Sequence, residues 1–440
     1  MKRLLIVVSV LVLSGLASSQ TDINVWIAFT DYRLDWTRER AEEFNAQFSD
    51  YNVVVSGYAS YNEAFDATVL AAEQGNPPAV THFFEAATQN ARDAVNDGEP
   101  LFKSVSEALA GRTEVNGIPV VLDDVVSAAS DYYTLDGIFT SMPWNTSTSV
   151  MFSNADMLER AGIESIPETW AEIDAACATI LAMDGAPDNC ITWPNHGWFF
   201  EQSIAQQGAD LANNGNGREE RATEVFYNSE AALAYTNWWK SLADSGYYIY
   251  TGRQRDWGGT QNAFESQQVA FLIFSSSDST VIPANTAENF TTVVSRMPYN
   301  QDAGYNGNII GGATLWLNNG LSADAEEGAL AFLNWLNNPA NAASWHQATG
   351  YIPITNTSFN TLTDEGWFSD NPNAAVANNQ LDIVPTTGAI FGGFVAIRDV
   401  YTEAMEDILL NDADVAATLD GVNADANTLL EEYNFLFAPN

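Results

Sequence analysis

The sequence predicts an α/β fold in two lobes, on three observations. At 440 residues the chain is too long for one simple core, so two domains are expected. Its first third after residue 20 alternates strand and helix patterns. That alternation resumes late in the chain, so the polypeptide crosses between lobes more than once.

The elements follow in order. "DINVWIAF" alternates as a strand does, and "YRLDWTRERAEEFNAQF" has helical periodicity. "YNVVVSGYA" reads as a second strand, "YNEAFDATVLAAEQG" as a second helix and "PAVTHFFE" as a third strand. Strand–helix–strand–helix–strand implies right-handed crossovers and a parallel, layered sheet, whose ligands sit beyond the carboxyl ends of the strands. Glu85 falls at the end of one strand and Tyr61 just after another. "MPWNTSTSVMFSN" (142–154) is an extended crossing segment, followed by a helix, a turn and a mainly helical stretch to about residue 262. "QQVAFLIFSSS" is a buried strand ending in serines, and "NIIGGATLWLN" is a strand whose glycine pair implies close approach by another group. A helix at 324–337 precedes "SWHQATGYIPIT", where Gly350 ends a helix and sets Tyr351 rigidly on a turn. An irregular region and a helical C-terminus (398–434) complete the chain.

Composition narrows the function. Hydrophobic content of 46% with 13 Trp, 16 Tyr and 23 Phe supplies well-built cores. Residues 1–19 read as a secretory signal: Lys2 and Arg3, an apolar run, then Ala17-Ser18-Ser19 as a small-residue cleavage site. Loss of those two basic residues takes the formal charge from −41 to −43. Such a chain lacks the basic patches that nucleic acid requires. "NDADVAATLDG" lacks the spacing of a calcium loop, and none of His82, His196 and His346 sits at metal-ligand spacing. No metal or cofactor is expected. Cys177 and Cys190 are the two cysteines, and export permits, without requiring, a disulfide between them.

One charge stands apart. From residue 297 to the end, Arg398 is the only basic side chain. Its i+3 and i+4 positions are Tyr401 and Thr402, so no helical ion pair is available to it. Its counter-charge is therefore non-local, either a distant carboxylate or a ligand anion, for which guanidinium is well suited.

Read together, "SYNEAFDATVLAAEQGNPPAVTHFFEAAT", "MPWNTSTSVMFSN", "IIGGATLWL", "AASWHQATGYIPIT" and "VAIRDVYTEAMEDIL" resemble the periplasmic solute-binding proteins of ABC importers, extracellular family 1. Within that family they are most similar to the receptors for glycerol-3-phosphate and glycerophosphodiesters. The resemblance covers essentially the whole mature chain. It implies a periplasmic-binding-protein-like fold, two α/β lobes joined by hinge segments and closing on a ligand. We expect lobe 1 to comprise 20–138 and 291–335, and lobe 2 to comprise 139–290 and 336–440.

Carried over one at a time, the family's binding positions fall on Tyr61, Glu85, Ser147, Ser275, Gly312, Tyr351 and Arg398, with Ser276 in place of Ser275 after a one-residue slip. The family's two tryptophans, three residues apart, are replaced by "TWPNHGWFFEQ". Trp198 matches the second, and Trp193 matches the first only with two inserted residues. The chemistry suits a phosphate ester. Arg398, the serine hydroxyls and the Gly312 N–H are donors for phosphate, Glu85 is an acceptor for glycerol hydroxyls, and Trp198 and Tyr351 cover carbon. The resemblance implies a non-enzymatic, monomeric receptor delivering its ligand to permease subunits in the inner membrane. Two other readings stay open: the same fold binding a neutral mono- or oligosaccharide, and an exported glycoside hydrolase with two carboxylates.

Overall fold

The computed structural model describes residues 20–382 and 388–438; the expected signal segment, 1–19, lies outside the described residues. Strand β1 (Thr21–Ile27), helix α1 (Tyr32–Gln47), strand β2 (Tyr51–Gly57), helix α2 (Tyr61–Glu73) and strand β3 (Val80–Phe84) follow the predicted alternation. Local chemistry starts both helices. The Asp31 carboxylate accepts from the Arg33 N–H to cap α1, and the Ser60 hydroxyl accepts from the Glu63 N–H to cap α2. Strand β1 runs parallel to both β2 and β3. The strand Gly311–Asn318 then adds antiparallel to β3, and Met142–Ser147 adds antiparallel beyond it. This first sheet is filled by Ile23, Val25, Ile27, Phe44, Leu315 and Phe332.

The second sheet orders Ile191–Thr192, Phe271–Ser275, Ser149–Asn154 and Thr292–Arg296. A large aromatic core packs beside it, in which Trp193, Trp238, Trp239 and Tyr248 lie ring against ring. The C-terminal helices Phe394–Asn411 and Val415–Phe437 close this lobe. Cys177, on the helix Trp170–Leu181, is disulfide-bonded to Cys190 at the edge of the second sheet. No helix among the described residues is long and apolar enough to cross a membrane.

The lobe boundaries differ from those expected, and sheet membership gives the reason. Met142–Ser147 pairs in the first sheet, and the chain passes to the second only at Thr148. Thr292–Arg296, expected in lobe 1, pairs with Ser149–Asn154 in the second sheet. The helix Pro339–Thr349, expected in lobe 2, packs Trp345 into the first core. Composition did not distinguish these segments, because both lobes bury the same kinds of apolar residue.

Candidate functional site

A cleft of about 880 Å³ separates the two sheets. Tyr61, Glu85, Ser147, Trp198, Ser275, Gly312, Tyr351 and Arg398 all line it, although they come from eight separate stretches of sequence. Parallel strands explain part of this convergence. Glu85 directly follows β3 and Tyr61 opens α2, so both sit at the carboxyl end of the first sheet. Ser147 ends its strand in the first sheet just before the crossing, and Ser275 ends its strand in the second sheet.

Gly350 adopts the left-handed conformation at the end of its helix (φ 91°), which turns Tyr351 into the cleft. The Tyr351 ring stacks on Trp345 with an interplanar angle of 3°, and its hydroxyl accepts from Arg33 Nη1 at 3.4 Å. Tyr61 is set by a second chain of contacts. The Asn145 Nδ2 donates to its hydroxyl at 3.3 Å, and Asn145 Oδ1 in turn meets His82 Nε2 at 2.7 Å.

The glycine pair has two different reasons. A Cβ on Gly311 would lie 2.4 Å from the Trp198 indole, so this ring rests on bare backbone. Gly312 has φ 92°, and a Cβ there would lie 1.9 Å from the Asn145 carbonyl oxygen.

Arg398 has distant carboxylates as partners. Its Nε and Nη2 donate to the two Glu201 oxygens, each at 2.7 Å, and Nη2 also donates to Glu85 Oε1 at 2.8 Å. Nη1 makes no hydrogen bond among the described residues. Burial alone would lower the arginine's pKa, but Glu201 and Glu85 raise it, so it stays charged. Burial pushes Glu201 up to about 7 despite the arginine beside it.

Two candidates lie outside the cleft lining. Trp193 is fully buried in the aromatic core, stacked between neighbours that would have no ligand to cover. The Ser276 hydroxyl accepts from the Thr148 N–H at 3.1 Å and is occupied in joining the hinge to the second sheet.

The cleft also contains residues that sequence reasoning passed over: Arg33, His196, Arg255, Trp257, Asp278 and Asp399. His196 caps the helix Gly197–Gln206, its Nδ1 accepting from the Trp198 N–H at 3.0 Å. Burial holds its pKa well below the usual value, so the ring is neutral and carries its proton on Nε2. Glu201 sits one turn after Trp198 on that helix. Its spacing could have flagged it as a partner on the same face.

Two lobes joined by crossing strands, with polar and aromatic side chains from both meeting in one cleft, define a two-lobed solute-binding fold. The family described as bacterial extracellular solute-binding protein matches residues 39–376, and the chain belongs to it. The chain is 28% identical over 438 residues to the sn-glycerol-3-phosphate-binding periplasmic protein UgpB of Escherichia coli (strain K12), covering 96% of this chain and 95% of that protein. The same protein of Pectobacterium atrosepticum is also 28% identical, over 434 residues, covering 96% of this chain and 94% of its relative. The crystal structure of UgpB from Mycobacterium tuberculosis in complex with glycerophosphocholine shares the fold. Its TM-score is 0.77 at 20% identity, with 94% and 99% of the two chains covered. The cyclic alpha-maltosyl-1,6-maltose binding protein of Arthrobacter globiformis has a TM-score of 0.75 at 20% identity, with 94% and 100% covered.

Proposed function

We propose that this protein is the periplasmic receptor of an ABC importer. It captures glycerol-3-phosphate or a glycerophosphodiester in the interlobe cleft and presents it to a membrane permease. Residues 1–19 direct export, and the receptor acts as a monomer without catalysis. The observation that carries this reading is the fixed Arg398, which lines the same cleft as Ser147, Ser275 and Gly312 and keeps Nη1 without a hydrogen-bond partner among the described residues. These are the donors a phosphate group needs. Glu85 retains an oxygen for glycerol hydroxyls, and Trp198 and Tyr351 cover the carbon skeleton. The relatives' names support the same ligand class. Ligand bridging both lobes favours the closed arrangement, which is the form offered to the permease.

A neutral oligosaccharide is the second reading. It is favoured by the fold shared with a maltosyl-maltose binding protein and by the number of aromatic rings in the cleft. Titration calorimetry with sn-glycerol-3-phosphate, glycerophosphocholine and maltose decides between them, using Arg398→Gln in parallel. Binding of a phosphate compound that is lost in the variant supports the receptor assigned above. Maltose binding that the variant leaves intact replaces it with the sugar reading.

A further inference from the structure

We infer that ligand capture is proton-linked, with Glu201 as the group that takes up a proton when a phosphate anion settles against Arg398. The inference rests on the phosphate-ester reading above and deepens it.

Geometry sets the charge problem. One guanidinium serves two carboxylates: Arg398 Nε and Nη2 hold the two Glu201 oxygens at 2.7 Å each, and Nη2 also holds Glu85 Oε1 at 2.8 Å. The three side chains are nearly sealed from solvent, with exposures of 4% for Arg398, 3% for Glu201 and 7% for Glu85. With both carboxylates ionised, the cluster carries an excess negative charge before any ligand arrives. A phosphate against Arg398 adds more, where solvent screens little. Like charges at such range favour the protonated form of a carboxyl group. A proton drawn from solvent onto one carboxylate offsets the ligand's charge, and it returns to solvent when the ligand leaves.

Position selects Glu201. Glu85 lines the ligand cleft, whereas Glu201 does not. Glu201 instead lines a separate cavity of about 20 Å³, shared with Glu85, Tyr132, Asn216 and Arg398. That is room for one water, which can accept the hydrogen bond of a protonated Glu201. The neighbouring groups, with one exception, are fixed in charge. Burial pushes the Tyr132 and Tyr227 phenols up, so both stay neutral. Arg218, over the Tyr132 ring at 4.8 Å, is brought down by burial only to about 10 and remains a cation. Arg255, which lines the cleft, is paired with Asp399. The exception is His196, the N-cap of the helix that carries Glu201, held neutral by burial and by Arg398 and Arg255. Burial already pushes Glu201 up to about 7, so a neighbouring anion tips it into the protonated form at neutral pH.

Calorimetric titration in buffers of different ionisation enthalpy counts the protons taken up per ligand. Glycerophosphocholine is the first probe, because a phosphodiester has no proton of its own to gain near neutral pH; sn-glycerol-3-phosphate is the second. The wild type is expected to take up about 0.8 proton per ligand at pH 8. Its affinity should fall about tenfold from pH 7 to pH 8.5, since the bound state holds more protons and loses ground as pH rises. Glu201→Gln, with folding established by thermal melts, should take up none and lose this pH dependence. His196→Asn keeps a helix cap and removes the other candidate group; its uptake should match the wild type's. No uptake by the wild type with whichever ester binds overturns the inference and leaves the phosphate-ester reading in place. So does uptake that survives in Glu201→Gln or disappears in His196→Asn. Binding of neither ester overturns the reading and the inference together.

Discussion

Arg398 and Glu201 form a two-point ion pair, Nε to Oε1 and Nη2 to Oε2, each 2.7 Å, buried behind the ligand cleft. Both residues belong to the second lobe, and the same guanidinium reaches Glu85 at the end of β3 in the first. The pair therefore fixes the arginine's orientation and links the lobes.

Removing the arginine's charge leaves two carboxylates facing each other. Arg398→Gln is expected to lose about 3–5 kcal/mol of stability at pH 8, the usual cost of stranding one side of a buried pair. Glu201, already pushed up to about 7 by burial, takes up a proton as the pH falls and relieves that cost. The loss should therefore be smaller at pH 5 than at pH 8, and Arg398→Gln/Glu201→Gln should be more stable than Arg398→Gln alone. Urea unfolding at both pH values checks this. A pH-independent loss would show that Glu201 does not carry the strain.

Gly311→Ala tests how Trp198 is seated. The new methyl would need the space of the indole, 2.4 Å away, so the ring must leave its present seat. Overpacking of this kind costs about 1–3 kcal/mol. We expect that cost together with weaker ligand binding, measured by thermal melting and calorimetry. Unchanged affinity would mean that the Trp198 face makes no ligand contact.

The sequence made the first sheet legible because its signals are local. Alternating burial in β1 and the caps Asp31 and Ser60 are all read within a few residues. The stretch between Glu85 and Phe139 was not legible, since its strands are two-residue pairings such as Val95–Asn96 with Glu99–Pro100, held by tertiary contacts. Arg398 was traceable for a physical reason: without a partner on its own helix face, it had to find charge elsewhere. Its partner Glu201 was hidden by distance, 197 residues away in sequence. Trp193 and Trp257 illustrate the remaining limit. An indole reads the same whether it fills a core or walls a cleft, and only packing separates the two.

The disulfide supports the second lobe away from the cleft. Cys190 accepts backbone hydrogen bonds from Ala270 and Phe271, so the bond to Cys177 ties helix Trp170–Leu181 to the sheet edge. With the cysteines 13 positions apart in sequence, replacing both by alanine should cost about 2–4 kcal/mol. Neither cysteine lines the cleft, so ligand affinity should be nearly unchanged. A melt compared with a titration separates the two effects, and a large loss of affinity in the folded variant would contradict this separation.

His82 links acid stability to the site. Burial pushes its pKa down from 6.5 to about 3, and its neutral ring is used on both sides. Nδ1 accepts from the Ala28 N–H at 3.2 Å, and Nε2 donates to Asn145, which positions the Tyr61 hydroxyl. A histidine with a depressed folded pKa binds its proton mainly in the unfolded chain. Its stabilising contribution is therefore present above about pH 6.5 and is lost as the pH falls toward 3, by about 1.4 kcal/mol per pH unit. His82→Asn removes this titration. Between pH 6 and pH 4 the variant's unfolding free energy should fall less steeply than the wild type's, by about that slope. It should also bind ligand more weakly at pH 7, because Asn145 and then Tyr61 lose their support. Parallel slopes in urea unfolding would place the acid sensitivity in other groups, and unchanged affinity would uncouple His82 from Tyr61.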